Sequence, residues 1–309
     1  MTAAPAVRDL LLGAASRLGS ATEARWLVEQ ALGSGGVIAQ AARGTTATPS
    51  EVAAVDALVD RRLAGEPLQY VLGTWAFRTI ELSVDSRVLI PRPETEVVVG
   101  HALDELARLA FETLPGDGGS PGEIVAVDLG AGSGAIALSL AVEGPSLVGD
   151  LELHVWATDL DAESLSVAAA NSESVLPTHP GSATVHLVQG SWFGALPASL
   201  AGRISLVVAN PPYVSEKEWA GLEPVVRDHE PRRALVAGPR GTEMIDDLLA
   251  QAPNWLAPNG ALVLEIAPHQ AEDAALRAIV SGFDTVVVRR DFAERSRALI
   301  ARVYESGLR

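Results

Sequence analysis

The 309-residue chain has no cysteine, and lysine occurs only once, at position 217. Without cysteine there can be no disulfide bond, no thiolate nucleophile and no zinc site built on sulfur. Basic residues are also scarce, since 23 of them stand against 39 acidic residues and the net charge is −16. Nucleic acids and anionic membranes are bound through cation-rich surfaces. We therefore expect neither of them to be the main partner.

Long apolar stretches are absent as well. No run approaches the ~20 uncharged apolar residues of a membrane-spanning helix. Arg8, Asp9 and Arg17 interrupt the apolar residues near the N-terminus, where a signal peptide would be continuously apolar. The six histidines lack the H-x-x-x-H spacing of a zinc site. We expect a cytoplasmic protein with no metal site and no membrane partner, and we expect a monomer.

The spacing of apolar residues changes along the chain. Over residues 7–18, 24–32 and 50–63 it is helical, with no strand-like alternation between these segments. From residue 74 apolar and polar residues alternate, which predicts a β-hairpin that turns at Asp85-Ser86 and returns along residues 87–90. Residues 114–123 are rich in glycine and proline and predict a mobile loop.

Predicted strands and helices alternate in the remainder of the chain. The strands are predicted at residues 124–128, 154–158, 184–187, 204–209, 261–265, 285–288 and 298–304, and the helices at 94–109, 134–142, 162–171, 242–256 and 270–280. Such alternation predicts an α/β fold with a mostly parallel sheet covered by helices on both faces. We therefore predict a helical domain at 1–73, a β-hairpin connector at 74–93 and an α/β domain at 94–309.

A glycine-rich loop follows the first strand of this predicted sheet. It comprises Gly130, Ala131, Gly132, Ser133 and Gly134, directly before an apolar helix. Glycines let a ligand approach the backbone closely, and the start of a helix offers unpaired N–H groups. The spacing is G-x-G-x-G, unlike the G-x-G-x-x-G of dinucleotide enzymes. The pattern favours a ligand-binding loop over a plain strand-to-helix turn.

An acidic residue, Asp159, ends the second strand. A carboxylate in this place can accept hydrogen bonds from both ribose hydroxyls of an adenosine. The alternative is a helix N-cap, which Asp161 can equally provide. We assign the ribose role to Asp159 and the cap to Asp161.

The tetrapeptide Asn210-Pro211-Pro212-Tyr213 follows the fourth strand. Its two prolines impose a rigid extended turn and end the strand. The rigidity holds the Asn210 side-chain oxygen and the Pro211 carbonyl apart as two acceptors, which suits a planar NH2 group. Tyr213 would add an aromatic wall against a planar substrate. A simple loop is the alternative for the tetrapeptide alone, but its register with the glycine loop and Asp159 favours a catalytic site.

These motifs together resemble class I S-adenosylmethionine-dependent methyltransferases that act on amino nitrogens. More narrowly, the chain resembles the HemK/PrmC family, the protein-(glutamine-N5) methyltransferases of peptide chain release factors. The resemblance covers nearly the whole chain, and it includes GEPLQY at residues 65–70, LIPRPETE at 89–96, QGSWF at 189–193 and Leu264-Glu265.

The resemblance implies a Rossmann-like methyltransferase sheet, a helical N-terminal domain that recognises the substrate, and S-adenosyl-L-methionine as methyl donor. It implies that the loop from Gly130 to Gly134 contacts the methionine part of this cofactor, that Asp159 holds the ribose and that Trp192 packs on adenine. Asn210 and Pro211 would orient the substrate glutamine amide, and Pro212 and Tyr213 would complete its pocket. The substrate would be the glutamine of the Gly-Gly-Gln motif in class I release factors.

Several alternatives stay open at this point. An N6-adenine DNA methyltransferase uses similar chemistry, and a protein of the same fold that has lost turnover is a third possibility. Trp192 could be a core aromatic residue. Arg92 and Glu94 could contact a protein substrate or hold the hairpin in place, and residues 227–230 could gate the pocket or form a solvated loop.

Overall fold

The structure is a computed structural model that describes residues 4–33, 36–113 and 122–304. Its helices are α1 (Val7–Leu18), α2 (Ala21–Leu32), α3 (Val37–Ala42), α4 (Pro49–Leu63), α5 (Leu68–Leu72), α6 (Pro93–Thr113), α7 (Ala135–Glu143), α8 (Pro145–Val148), α9 (Ala162–Val175), α10 (Glu216–Trp219), α11 (Pro224–Arg227), α12 (Glu243–Gln251) and α13 (Ala271–Val280). Its strands are β1 (Thr74–Phe77), β2 (Ile80–Ser83), β3 (Glu123–Leu129), β4 (Glu152–Asp159), β5 (Thr184–Gln189), β6 (Ile204–Ala209), β7 (Val214–Ser215), β8 (Val236–Gly238), β9 (Leu256–Glu265), β10 (Thr285–Arg290) and β11 (Ser296–Arg302). Most of the predicted loop at 114–123 lies outside the described residues. Within them, no helix is both long and apolar enough to cross a membrane.

The chain divides into two compact units. The first comprises Met1–Trp75 with Glu223–His229, and the second Ala76–Leu222 with Glu230–Arg309. The first unit is helical. Its core is formed by small and branched apolar side chains of its helices together with Ala47, which lies just before α4: Val7, Ala14, Ala24, Leu27, Val28, Val37, Ala47, Val55, Val59 and Val71. Those in α1, α2 and α4 stand at positions that helical spacing predicts for a buried face.

Local signals in the sequence set the helix ends of the first unit. Ser20 caps α2 by accepting a hydrogen bond from the backbone N–H of Glu23. Thr48 and Glu51 form a reciprocal capping box at the start of α4, and Pro49 occupies its first turn. Gly19 ends α1 in the left-handed conformation that glycine adopts at low cost.

A seven-stranded sheet in the order β10-β11-β9-β6-β3-β4-β5 forms the centre of the second unit. Strands β9, β6, β3, β4 and β5 pair in parallel, whereas β11 runs antiparallel to both β9 and β10. Helices cover both faces. Alternate residues of β6, such as Val207 and Ala209, pack in one cluster with α12 and α13. Leu206 and Val208 point to the opposite face and are also fully buried.

The predicted fold class is therefore confirmed, and each of the seven predicted strands of the sheet is present, with ends that differ by a few residues. The hairpin is different from the prediction. Strands β1 and β2 pair with each other, so the turn lies at Arg78 and Thr79, and residues 87–90 form no strand.

The hairpin differs from the prediction because residues distant in sequence make the contacts that determine where the chain turns. Arg78 has a φ of 51°, and its guanidinium forms two hydrogen bonds of 2.7 Å with the Glu143 carboxylate. The backbone N–H of Ile90 donates to the Glu230 side chain at 3.2 Å instead of to a strand.

A buried carboxylate joins α6 to strand β11 of the sheet. Glu105, which is 4% exposed, accepts hydrogen bonds from Arg302 of β11 at 2.5 and 2.9 Å and from Arg108 at 2.8 Å. These two guanidinium groups hold the pKa of Glu105 below its usual range, against the opposing effect of burial. The ion pair between Glu105 and Arg302 thereby fixes how α6 lies along the sheet.

We predict that Glu105→Ala lowers the free energy of unfolding by about 3 kcal/mol, because it leaves two arginines without their buried counter-charge. The measurement is urea denaturation followed by circular dichroism. Asp104→Ala is the matched control, since the Asp104 side chain on the same helix is 81% exposed and should change stability by less than about 0.5 kcal/mol. Equal effects of the two substitutions would contradict this role of Glu105.

Candidate functional site

One cavity of about 540 Å³ opens at the carboxyl ends of the parallel strands. Its size is that of a small-molecule site. It lies where the strand order reverses on either side of β3, the usual place for ligands in open α/β sheets. The predicted site residues that line it are Gly130, Ala131, Gly132, Ser133, Asp159, Trp192, Asn210 and Pro212.

Strand register brings these motifs together. Leu129 of β3 lies opposite Thr158 of β4 and Ala209 of β6, and Ala209 lies opposite Leu264 of β9. The residues that follow them are Gly130, Asp159, Asn210 and Glu265, so these four stand in one row across four neighbouring strands. We call them the end row. The sequence distances between them are large, and only the parallel register makes them neighbours.

Asp159 is tied to the glycine loop. Its Oδ2 accepts a hydrogen bond from the backbone N–H of Gly132 at 2.8 Å, and its Oδ1 accepts one from the N–H of Asp161 at 2.9 Å. The carboxylate lines the cavity and each oxygen retains a lone pair for a ligand hydroxyl. Asp161 instead caps α9, as predicted, by accepting from the N–H groups of Glu163 and Ser164.

Trp192 stands beside the first glycine of the loop. The backbone of Trp192 has a φ of 44° and its side chain lines the cavity. A Cβ added to Gly130, which has a φ of +83°, would lie 3.2 Å from the indole ring. Gly130 is therefore required both by its own conformation and by the close approach of the indole. The ring also packs against the core cluster on its inner side, as a core aromatic residue would, and its packing on adenine stays a prediction.

Asn210 has a defined hydrogen-bond partner on α6. Its Nδ2 donates to Thr95 Oγ1 at 3.1 Å, and Thr95 Oγ1 donates to Glu265 Oε2 at 2.6 Å. Tyr213 also reaches this carboxylate, with its hydroxyl 3.4 Å from Oε1. Burial and the nearby Glu265 carboxylate raise the pKa of the Tyr213 phenol, which therefore keeps its proton. Thr95 and Glu265 lie in segments that carry the family resemblance, and no local sequence pattern indicates a role for either of them.

Three predicted site residues do not line the cavity. Gly134 starts α7, and a Cβ on it would contact Leu138 and Ala168 at 3.3 and 3.4 Å, so it allows close packing within the fold. Pro211 is buried. Tyr213 turns towards Glu265 rather than into the cavity. The assignment of these residues to ligand or substrate stays a prediction.

Arg92 and Glu94, for which the sequence left two roles open, form ion pairs within the protein. Arg92 Nη2 lies 2.5 Å from Glu230 Oε1, and the side chain of Glu230 is 1% exposed. Glu94 pairs with Arg295 at 2.8 Å. Arg92 and Glu230 thereby hold Leu89, Ile90 and Pro91 in the cavity wall, which favours a structural role for this pair.

A second buried carboxylate lies beneath the glycine loop. Asp128 is fully buried at the end of β3, and its Oδ2 accepts a hydrogen bond from the N–H of Ala137 at 3.0 Å. Its Oδ1 has no hydrogen-bond partner among the described residues. Burial, with a contribution from the Asp159 charge, raises the pKa of Asp128 to about 7.

This donor and acceptor set fits an adenosine-bearing cofactor. The cavity offers a glycine loop that a ligand can approach closely, a carboxylate for two hydroxyls and an indole for a flat ring. Gly132 lines the cavity, and a Cβ added to it would meet no atom within 4 Å, so there is open space beside this part of the loop.

Comparison with known proteins gives a consistent result. Residues 9–73 match the family described as the PrmC N-terminal domain. A release factor glutamine methyltransferase of Chlorobaculum tepidum is 38% identical over 82% of this chain and 80% of its own length. That of Deinococcus radiodurans is 34% identical over 96% and 98%, and that of Escherichia coli 32% identical over 92% of each chain.

We predict that Asp128→Asn removes a pH-dependent part of the free energy of unfolding. Between its ordinary pKa of 3.8 and its folded pKa of about 7, Asp128 keeps its proton when folded and loses it when unfolded. Stability of the wild type therefore falls as pH rises through this window, by at most about 1.4 kcal/mol per pH unit from this group. Denaturation of both proteins at pH 5, 6, 7 and 8 measures the difference, and identical slopes would contradict the prediction.

Proposed function

Because the chain belongs to the release factor glutamine methyltransferase family, we propose that it methylates the side-chain nitrogen N5 of the glutamine in the Gly-Gly-Gln motif of class I release factors. The methyl donor of this family is S-adenosyl-L-methionine. The observation that carries the proposal is the end row, because it places Asn210 in the same cavity as the glycine loop and Asp159. A methyl donor and an amide acceptor can thus meet there.

We divide the predicted site residues between the two substrates. We assign cofactor binding to Gly130, Ala131, Gly132, Ser133, Gly134, Asp159 and Trp192. The loop would lie against its methionine part, the two oxygens of Asp159 would bind its ribose hydroxyls, and Trp192 would pack on its adenine. Asn210 would lie against both the cofactor and the glutamine amide.

Asn210, Pro211, Pro212 and Tyr213 would act by orientation. An amide nitrogen is a weak nucleophile because its lone pair is delocalised into the carbonyl group. The side-chain oxygen of Asn210 and the Pro211 carbonyl would accept hydrogen bonds from the two N–H bonds and hold the nitrogen towards the methyl group. When bound, the cofactor supplies a sulfonium methyl. The nitrogen forms a bond to this carbon as the sulfur–carbon bond breaks, and one amide proton leaves to water or a carbonyl oxygen.

The organisation of the chain suits a macromolecular substrate. We infer that the helical domain at residues 1–73 recognises the release factor, that residues 74–93 connect it, and that residues 94–309 carry out methyl transfer. The net charge of −16 supports a protein over a nucleic acid or an anionic membrane. The relatives are named for release factors, which favours a protein amide over adenine in DNA. We place the enzyme in the cytoplasm and infer that it acts as a monomer.

The direct test is incubation with a class I release factor and S-adenosylmethionine that carries an isotopically labelled methyl group. We expect peptide mass spectrometry to find one labelled methyl on the glutamine of the Gly-Gly-Gln loop. Label on another residue, or on duplex DNA supplied in parallel, would contradict the proposed acceptor.

Asn210→Ala is the matched variant for this experiment. Loss of the orienting oxygen should lower kcat at least about 100-fold, whereas the dissociation constant of the cofactor, measured by calorimetry, should change less than about threefold. Retention of turnover would exclude the orienting role of Asn210.

Asp159→Ala should weaken cofactor binding about tenfold or more, because two hydrogen bonds to a charged acceptor are lost. Glu163→Ala is the control, since this exposed carboxylate at the start of α9 lies outside the cavity lining and its removal should leave affinity unchanged. An unaltered dissociation constant for Asp159→Ala, again by calorimetry, would remove Asp159 from the ribose.

A further inference from the structure

Asn210 stands at the end of a chain of two hydrogen bonds whose other members come from separate elements. Thr95 lies in the first turn of α6, and Glu265 ends β9. They are 4% and 1% exposed, so the chain is shielded from water. The bonds run from Asn210 Nδ2 to Thr95 Oγ1 and from Thr95 Oγ1 to Glu265 Oε2.

The direction of this chain follows from the number of protons available. A threonine hydroxyl carries one proton, and an ionised carboxylate can only accept. The Thr95 hydroxyl therefore donates its hydrogen bond to Glu265 and accepts one from Asn210. The Asn210 amide must turn its NH2 group to Thr95, which leaves Oδ1 on the other side. In the opposite orientation Oδ1 would face the Thr95 oxygen with no proton between them.

The groups around Glu265 determine whether it is ionised. Burial raises its pKa, and the charge of Glu94 acts in the same direction. The Thr95 hydroxyl, the Arg297 guanidinium at 4.0 Å and the Tyr213 hydroxyl at 3.4 Å oppose this rise. A protonated Glu265 would be a donor to Thr95, and the fixed direction of the chain would be lost.

Neither polar side chain is explained by the fold alone. Glu265 ends a strand whose preceding residues 261–264 are apolar and fully buried, and a buried carboxylate in such a place is costly. Thr95 satisfies its backbone N–H through the Arg92 carbonyl at 3.0 Å, so its hydroxyl is free for the side-chain network. Departures from the local pattern of this kind are expected at functional positions.

We propose that Thr95 and Glu265 are positioning residues, which fix the Asn210 amide with its oxygen directed to the NH2 group of the amide substrate. This inference rests on the proposed function. Thr95 lines the cavity beside Asn210 and Glu265 does not, and both act through Asn210. Because of these two residues, Asn210 presents its hydrogen-bond acceptor to the substrate rather than its donor. This suits a substrate amide, whose nitrogen carries the protons.

Thr95→Val tests the hydroxyl without changing the shape of the side chain. We expect kcat for release factor methylation to fall about 10- to 100-fold, with the KM for the release factor and the cofactor dissociation constant within about threefold of wild type. Thr95→Ser should restore most of the activity. Ser139→Ala is the matched control, because it removes another fully buried hydroxyl, one with no hydrogen-bond partner among the described residues, and it should leave kcat unchanged.

Glu265→Gln tests the direction of the chain. A glutamine amide both donates and accepts, so it does not enforce one orientation of Asn210. We expect a lower kcat in the variant. In the wild type, kcat should decrease as pH falls through the raised pKa of Glu265, and this decrease should be absent in Glu265→Gln. A variant with the wild-type pH profile would overturn the role of Glu265.

A readout without substrate separates the two proposals. In the ¹H–¹⁵N spectrum of the cofactor-free protein, the side-chain NH2 signals of Asn210, assigned by their loss in Asn210→Ala, should shift in Thr95→Val and stay in place in Ser139→Ala. Unchanged Asn210 signals, or wild-type kcat in Thr95→Val, would overturn the positioning role. Absence of methyl transfer by the wild type would overturn the proposed function instead.

Discussion

The parallel register of β4, β3, β6 and β9 is the constraint on which the functional part of the second unit depends. It ends four strands at the same level, so that Asp159, Gly130, Asn210 and Glu265 follow one another across the sheet. A shift of one strand by a single residue would turn its side chains to the opposite face. The fully buried apolar residues of these strands prevent such a shift. The core therefore stabilises the fold and, by the same contacts, aligns the site.

Buried carboxylates are the second theme, and their surroundings give each a different state. Glu105 has two arginine partners, which hold its pKa down, and it acts as an ionic link in the fold. Asp128 has one backbone donor and, among the described residues, no ion-pair partner, and burial raises its pKa to about 7. Burial also raises the pKa of Glu265, against the opposing effects of a hydroxyl partner at 2.6 Å and a guanidinium at 4.0 Å. Chemical identity alone does not determine what a buried acid does.

Periodicity and motif spacing were sufficient to predict the strands of the sheet, the glycine loop and the places of Asp159 and Asn210, because these features are local. They were insufficient where a partner distant in sequence decides. The hairpin turn at Arg78 depends on Glu143, 65 residues away, and the prediction put the turn at Asp85-Ser86. The Asn210–Thr95 bond spans 115 residues and the Thr95–Glu265 bond 170, so no local pattern assigns these residues a role.

The path of the chain between the two units has a consequence for dissecting the enzyme. Because residues 223–229 group with residues 1–75, the backbone passes from one unit to the other after residues 75, 222 and 229. His229 in this segment lies 3.7 Å from the Cβ position of Gly65. A fragment that starts at residue 76 would keep α11 but lose the helices with which it is grouped. A single cut therefore does not separate the catalytic part. Deletion of the N-terminal helices leaves residues 223–229 in the fragment without the residues with which they are grouped.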